Sequence, residues 1–364
     1  MDIHQLLTTS RTPIPWAYRE ARDLRQKNSR FLALPVDIIL LILDEFSSIR
    51  ESDVALGQRY LPLELEERTK AIRALSQTCR AWRQAFLPLL WARFLVVFLY
   101  GKEEWYQQLS ESLGRKCVGL TEKSPHLRIY IRTVTVTITK RWADRTVPLF
   151  ANCLASMPNL DTIQIMHSSK EISHFLRDSF ADKCLKNVKS IIIQDYAHFI
   201  MRACPNVTKV TCIGGDGKRL IGAIVKDCKK VDELYGIQPT EGVLKRLADV
   251  QPTISRVSLD FRDLSVYTTD GTDQYNLKLL RPLKYLENLD RIEIIDAIYH
   301  IQDQPDQFKN HKERLEEIAN AVKTTLLKRA KHAKELVVTY EEIPDSSQKK
   351  EPITHRDVRQ LLGK

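Results

Sequence analysis

Leu160-Asp161-Thr162-Ile163-Gln164-Ile165, Val188-Lys189-Ser190-Ile191-Ile192-Ile193 and Val207-Thr208-Lys209-Val210-Thr211-Cys212 share one pattern, apolar-x-x-apolar-x-apolar. It recurs upstream as Ile131/Val134/Val136 and downstream as Val231/Leu234/Gly236, Ile254/Val257/Leu259 and Leu289/Ile292/Ile294. Alternation of the last two apolar positions is what a strand with one buried face requires. Successive copies begin 29, 28, 19, 24, 23 and 35 residues apart. Helix-like stretches fall between most of them, at residues 147–156, 197–203, 220–227, 242–250 and 279–286, with the longest at 314–331. Turns such as Met157-Pro158-Asn159 and Cys204-Pro205-Asn206 join helix to strand.

A unit of one strand and one helix has two apolar faces and cannot cover both. Stacked units bury them in one continuous core. The fold expected is therefore α/β, an irregular solenoid over residues 101–343 that is similar to leucine-rich-repeat proteins. A doubly wound α/β domain also alternates helix and strand, but it predicts near-continuous apolar strands. The short units and shared strand motif favour the solenoid.

Working outward towards the N-terminus, residues 1–30 are basic and polar, with a helix expected from Trp16 behind Pro13 and Pro15. Residues 31–100 read as helical. Leu34, Ile38, Ile42 and Phe46 step by four, and Ile72, Leu75, Cys79, Trp82 and Phe86 step by three and four. A polar insertion, 47–68, separates them and reads as a long loop. Pro88 is expected to end or bend the second helix. At the other end, residues 344–364 form a polar tail, where Thr354 and Asp357 suit the start of a short last helix through Leu362.

Phe31-Leu32-Ala33-Leu34-Pro35-Val36-Asp37-Ile38-Ile39, then Ile42-Leu43, Cys79-x-x-Trp82-Arg83 and Leu90-Trp91 resemble an F-box. With the repeats behind it, the chain looks like the F-box proteins with leucine-rich repeats common in fungi. The resemblance implies an adaptor of a Skp/cullin/RING ubiquitin ligase. Leu34, Pro35, Ile38, Ile39, Ile42 and Leu43 would meet the Skp-type adaptor, and through it a cullin, with Leu75, Trp82 and Arg83 supporting that surface. The 47–68 insertion departs from the family's short link. Read without the resemblance, two or three short helices with this many bulky apolar groups have more than they can bury, which marks a partner site or a cap for the first repeat.

On the strands, positions between the buried ones point to the opposite face. Met166, Ile192, Ile213 and Tyr235 would lie there on consecutive strands, an apolar spot suited to an unknown protein substrate.

Composition sets bounds on other functions. Net charge is +10, but 56 basic residues are interleaved with 46 acidic ones, which speaks against a nucleic-acid groove. Seven scattered cysteines form no CxxC pair and no zinc spacing, as expected of reduced thiols in the cytoplasm or nucleus. No signal-peptide core is legible, and the apolar run 86–100 is short for a bilayer and carries Arg93. No membrane partner and no cofactor are expected. Gly214-Gly215-Asp216-Gly217-Lys218 resembles a phosphate loop, but Cys212 and Arg219 stand where that loop needs Gly and Ser or Thr. His167, Asp161 and Cys153 make no triad by sequence. The chain is therefore read as no enzyme. The alternatives carried forward are a repeat scaffold without a ligase role and a basic nucleic-acid-binding protein.

Overall fold

The computed structural model describes residues 38, 41, 43, 64–97, 106–248, 254–262, 288–299, 313, 316–317, 319–320, 323–324, 335–343 and 353–360. The chain divides into two compact units, Met1–Ser48 with Leu63–Leu90, and Ile49–Pro62 with Trp91–Lys364.

In the first unit, Ile38, Leu41 and Leu43 are helical. Helix α1 spans Glu64–Ser76 and α2 spans Arg80–Trp91. α1 therefore begins inside the stretch read as a loop. It stops where Ser76 and Thr78 hydroxyls donate to the carbonyls of Arg73 and Leu75, competing with the next helical turn. Pro88 does not end α2. Only one helical N–H is lost there, close to the helix end. The three-and-four stripe forms this unit's own core: Leu43, Ile72, Trp82 and Phe86 are buried, with Leu75, Cys79 and Leu90 packed against them. Trp82 meets Phe86 edge to face at 5.7 Å between centroids.

The second unit holds a single sheet of ten strands in strict chain order, β1 to β10. They are Arg93–Val96, Thr133–Thr137, Thr162–His167, Ser190–Ile193, Lys209–Cys212, Glu233–Ile237, Arg256–Asp260, Arg291–Tyr299, Glu335–Ile343 and Ile353–Gln360. The first nine are parallel. β10 runs antiparallel on β9. The last helix expected from Thr354 is thus a strand: Ile353, Thr354 and Val358 are β-branched, and pairing satisfies the free edge of β9. Residues 353–360 of the tail accordingly add to the sheet.

Helices fill the crossovers: α3 (Tyr106–Val118), α4 (Ala143–Ala155), α5 (Ser173–Phe180), a 3₁₀ helix (Asp195–Ala203), α6 (Lys218–Asp227) and α7 (Glu241–Ala248). Sequence reading missed α3 and α5. The expected helix 279–286 lies outside the described residues, and the described residues from 313 to 324 are helical.

The core follows the strand motif. Val134/Val136, Ile163/Ile165, Ile191/Ile193, Val210/Cys212, Leu234/Ile237, Val257/Leu259 and Ile292/Ile294 are buried, as are Val147, Phe150, Leu154, Leu176, Phe180, Leu220 and Ile224 on the helices. Phe150 of α4 meets Phe180 of α5 at 6.4 Å. The one irregular copy is Val231/Leu234/Gly236. A register shift between Leu234 and Ile237 puts Ile237, not Gly236, opposite Leu259. An isolated Gly inside a strand is the mark of such a bulge.

Two hydrogen-bond series repeat along the stack. At each start from β2 to β8, two successive N–H groups share one carbonyl of the preceding unit. Asp161 and Thr162 donate to Arg132, Lys189 and Ser190 to Asp161, Thr208 and Lys209 to Lys189, and so on to Asp290 and Arg291 on Ser255, all at 2.8–3.2 Å. Three residues ahead of β3, β4 and β5, Asn159, Asn187 and Asn206 donate side-chain N–H to Ile129, Pro158 and Lys186 of the unit before, at 2.6, 2.5 and 2.9 Å. These three asparagines, two of them in Pro-Asn turns, therefore stitch each turn to its neighbour.

Candidate functional site

The first site expected from sequence lies on the helical unit. Leu43 and Trp82 are not free for a partner, because they fill the unit's interior. Leu75 is half-buried against them and Arg83 is exposed. Ile38 is 44% exposed. Leu34, Pro35, Ile39 and Ile42 lie outside the described residues. The structure adds two residues that sequence reading passed over: Leu41 is 65% exposed and Leu89 is 42% exposed. Leu41 was findable, since it sits three residues after Ile38 and off the four-step stripe. Arg68 Nε donates to the Leu43 carbonyl at 3.1 Å, tying α1 to the earlier helical segment.

The second lies on the sheet face opposite the strand motif. Parallel registry aligns Gln164, Ile192, Thr211 and Tyr235 in one row. Met166 and Ile192 are only 2% and 1% exposed, so they do not form the open apolar spot expected. On β2 to β5 that face is packed with polar as well as apolar side chains, Thr135, Gln164 and Thr211 being buried beside Met166 and Ile192, whereas Arg256 on β7 is exposed. Ile213 and Tyr235 remain half-buried.

The polar groups of that face bond to one another. Thr135 Oγ1 donates to Gln164 Oε1 at 2.7 Å, and Arg93 Nη1 lies 3.4 Å from both oxygens. Further along, the first residues of β5 to β9 align as Lys209, Glu233, Arg256, Arg291 and Glu335. Arg256 donates to Glu233 at 2.8 Å, and Arg291 to Glu335 at 3.2 Å. Tyr235 donates its hydroxyl to Glu233 at 3.0 Å while Lys209 Nζ sits 5.3 Å from its ring. Burial, then the Glu233 charge, push the Tyr235 phenol up to about 12. The signal for this rung was the charge at one motif position in successive copies, which suits cross-strand pairs.

No family model and no curated protein matches this chain. The assignment of function therefore stands on the chain's own chemistry. Among the described residues no group of three His, Cys, Asp or Glu is placed to hold a metal, and no helix is long and apolar enough to cross a membrane. The turn Gly214–Lys218 links β5 to α6, with Gly215 and Gly217 at positive φ. Cys117, Cys153, Cys204, Cys212 and Cys228 are buried. Burial pushes the Cys212 and Cys228 thiols up to about 12, which leaves them without nucleophilic thiolate at neutral pH.

Proposed function

We propose that this protein is a non-enzymatic adaptor of the F-box type. Its front helices dock a Skp-type protein of a cullin-RING ubiquitin ligase, and its stacked sheet, a leucine-rich-repeat-like solenoid, recruits a protein substrate. The observation that carries the reading is on the helical unit. Its interior is already filled by Leu43, Ile72, Trp82 and Phe86, yet Ile38, Leu41 and Leu89 stay exposed. Bulky apolar groups left outside a completed small core are what a docking surface presents. The chain-order sheet and its repeating hydrogen bonds support the solenoid half of the reading.

Co-purification with a Skp-type adaptor tests it. Wild type should capture the adaptor, and Ile38→Glu with Leu41→Glu should abolish capture while the melting temperature stays put. Capture that is equal for both chains, or absent for both, overturns the ligase reading. Absence for both leaves a repeat scaffold.

A further inference from the structure

The C-terminal ends of β2 to β6 open onto one edge of the sheet, where five successive turns lie side by side. Direct bonds show the contiguity. Lys140 Nζ after β2 is 3.7 Å from Glu171 after β3. Ser168 N donates to Gln194 Oε1 after β4 at 2.8 Å, and Asp195 N to Gly214 O after β5 at 2.9 Å. Arg246 of α7 reaches the Lys218 carbonyl at 3.3 Å. Strands about 4.8 Å apart make this row roughly 19 Å long.

The row is cationic and carries aromatic rings. Lys140, Arg141, Lys170, Lys218 and Arg219 are all exposed along it. Arg141, Lys170 and Lys218 have no ion-pair partner among the described residues. Two cations lie over rings on the same edge, Arg141 over Trp142 at 5.8 Å and Arg219 over Tyr196 at 4.8 Å. Trp142 is the only described non-glycine residue with positive φ, at 53°, and its side chain is 37% exposed. A bulky residue in the left-handed region is strained, and such strain persists where surroundings or function hold it. Here Ser110 Oγ fixes the turn by donating to the Arg141 carbonyl and accepting from the Thr139 hydroxyl, both at 2.6 Å. An indole is thereby held at the rim instead of in the core.

We propose that this edge binds an extended acidic protein segment, its carboxylates meeting Arg141, Lys170 and Lys218 and its apolar part covered by Trp142. About six extended residues span the row. Arg and Trp are the residues that dominate protein interfaces. Glu171 and Asp216 interrupt the cations, which suits separated carboxylates better than the unbroken charge of a nucleic-acid backbone. The inference names the substrate class for the sheet unit and rests on reading that unit as the recognition half of the adaptor.

Fluorescence anisotropy of a fluorescein-labelled glutamate-rich peptide against the full chain tests it, with a lysine-rich peptide and a single-stranded oligonucleotide as comparators. The acidic peptide should bind best, and more weakly as salt rises. Arg141→Glu with Lys170→Glu and Lys218→Glu should weaken it about tenfold or more without lowering the melting temperature. Trp142→Gly relieves the backbone strain, so it should lose affinity while holding or gaining stability. Peptide binding unchanged in the charge-reversed chain, or an oligonucleotide binding tighter than the peptide, overturns the proposal. The same variants are assayed for Skp-type adaptor capture. Capture retained with no peptide binding by wild type sinks this inference alone. Peptide binding retained with no capture sinks the ligase reading alone.

Discussion

Asp195 caps a helix to which it does not belong: its Oδ1 accepts the backbone N–H of Arg219 at 2.9 Å and of Leu220 at 3.1 Å. Asp195 follows β4, whereas Arg219 opens the first turn of α6 one unit later. Gly217, just ahead of that helix, has no side chain to cap it. The cap thus travels between units, and so it couples the stacking of one unit to the start of the next helix.

Removing that acceptor should cost more than a surface substitution. Asp195→Ala is expected to lower stability by about 1–2 kcal/mol, because a buried and a part-buried N–H group lose their partner. Asp195→Asn keeps an oxygen acceptor and should cost much less. Burial, the largest influence, raises the Asp195 pKa despite the two N–H bonds that oppose it. A raised folded pKa gives stability below the unfolded pKa that is lost as pH rises through the folded one. The Asn variant should therefore compare best with wild type at neutral pH and worst in acid. Urea midpoints of the three chains at both conditions check this.

His198 supplies a pH dependence of the opposite sign. Burial, the largest cause, lowers its pKa, while its Nδ1 lies 3.1 Å from the Asp195 carbonyl. The unfolded chain then binds the proton more readily than the folded one. Stability present above the unfolded pKa is lost as pH falls through the folded value. Between about pH 7 and about pH 5 the urea midpoint should fall, and His198→Gln should flatten that fall. An equal slope in both chains would assign the acid sensitivity to other groups.

Gly236 is the position where a single methyl group should do most damage. Its φ is 69°, and an added Cβ would lie 2.2 Å from the Cys212 carbonyl oxygen on the neighbouring strand. That oxygen is backbone and cannot swing away. Gly236→Ala should cost about 3 kcal/mol or more, combining left-handed strain with a clash in the sheet. A thermal melt reads it directly. A loss below about 1 kcal/mol would mean the bulge relaxes.

The same glycine shows what sequence could and could not reveal. Strand position and inward face were legible in all but one copy of the motif, because alternation of apolar residues directly encodes burial. At Leu234 the motif continued onto Gly236, and only the cross-strand register reveals that Ile237 takes the inward place. Helix α3 precedes the first copy of the motif, although its Leu109, Leu113 and Cys117 do step by four, and α5 is only eight residues long, so that its buried Leu176 and Phe180 give a single step of four. The helix expected from Thr354 is instead β10, because Thr354 and Asp357 suit a helix cap locally but sit on a strand paired with β9, and a cap signal does not report cross-strand pairing. The candidate surfaces were less legible still. Periodicity says which residues share a face, not whether that face is outward. So Trp82 and Met166 turned out buried, whereas Leu41 and Trp142 were found outside.

That distinction between sharing a face and facing solvent yields a direct contrast on the helical unit. Phe86 is fully buried and stacks edge-on with Trp82, whereas Leu41 is largely exposed on the same unit. Phe86→Ala leaves a cavity and should cost about 3–5 kcal/mol. Leu41→Ser removes only surface and should change stability by less than about 0.5 kcal/mol. If Leu41 belongs to a docking face, its substitution must nevertheless weaken adaptor capture, whereas a cap packed against other parts of the chain would lose stability instead. Melting and capture measured on both variants separate these cases. Leu41→Ser that melts early with capture intact would mean its exposed surface serves the fold and not a partner.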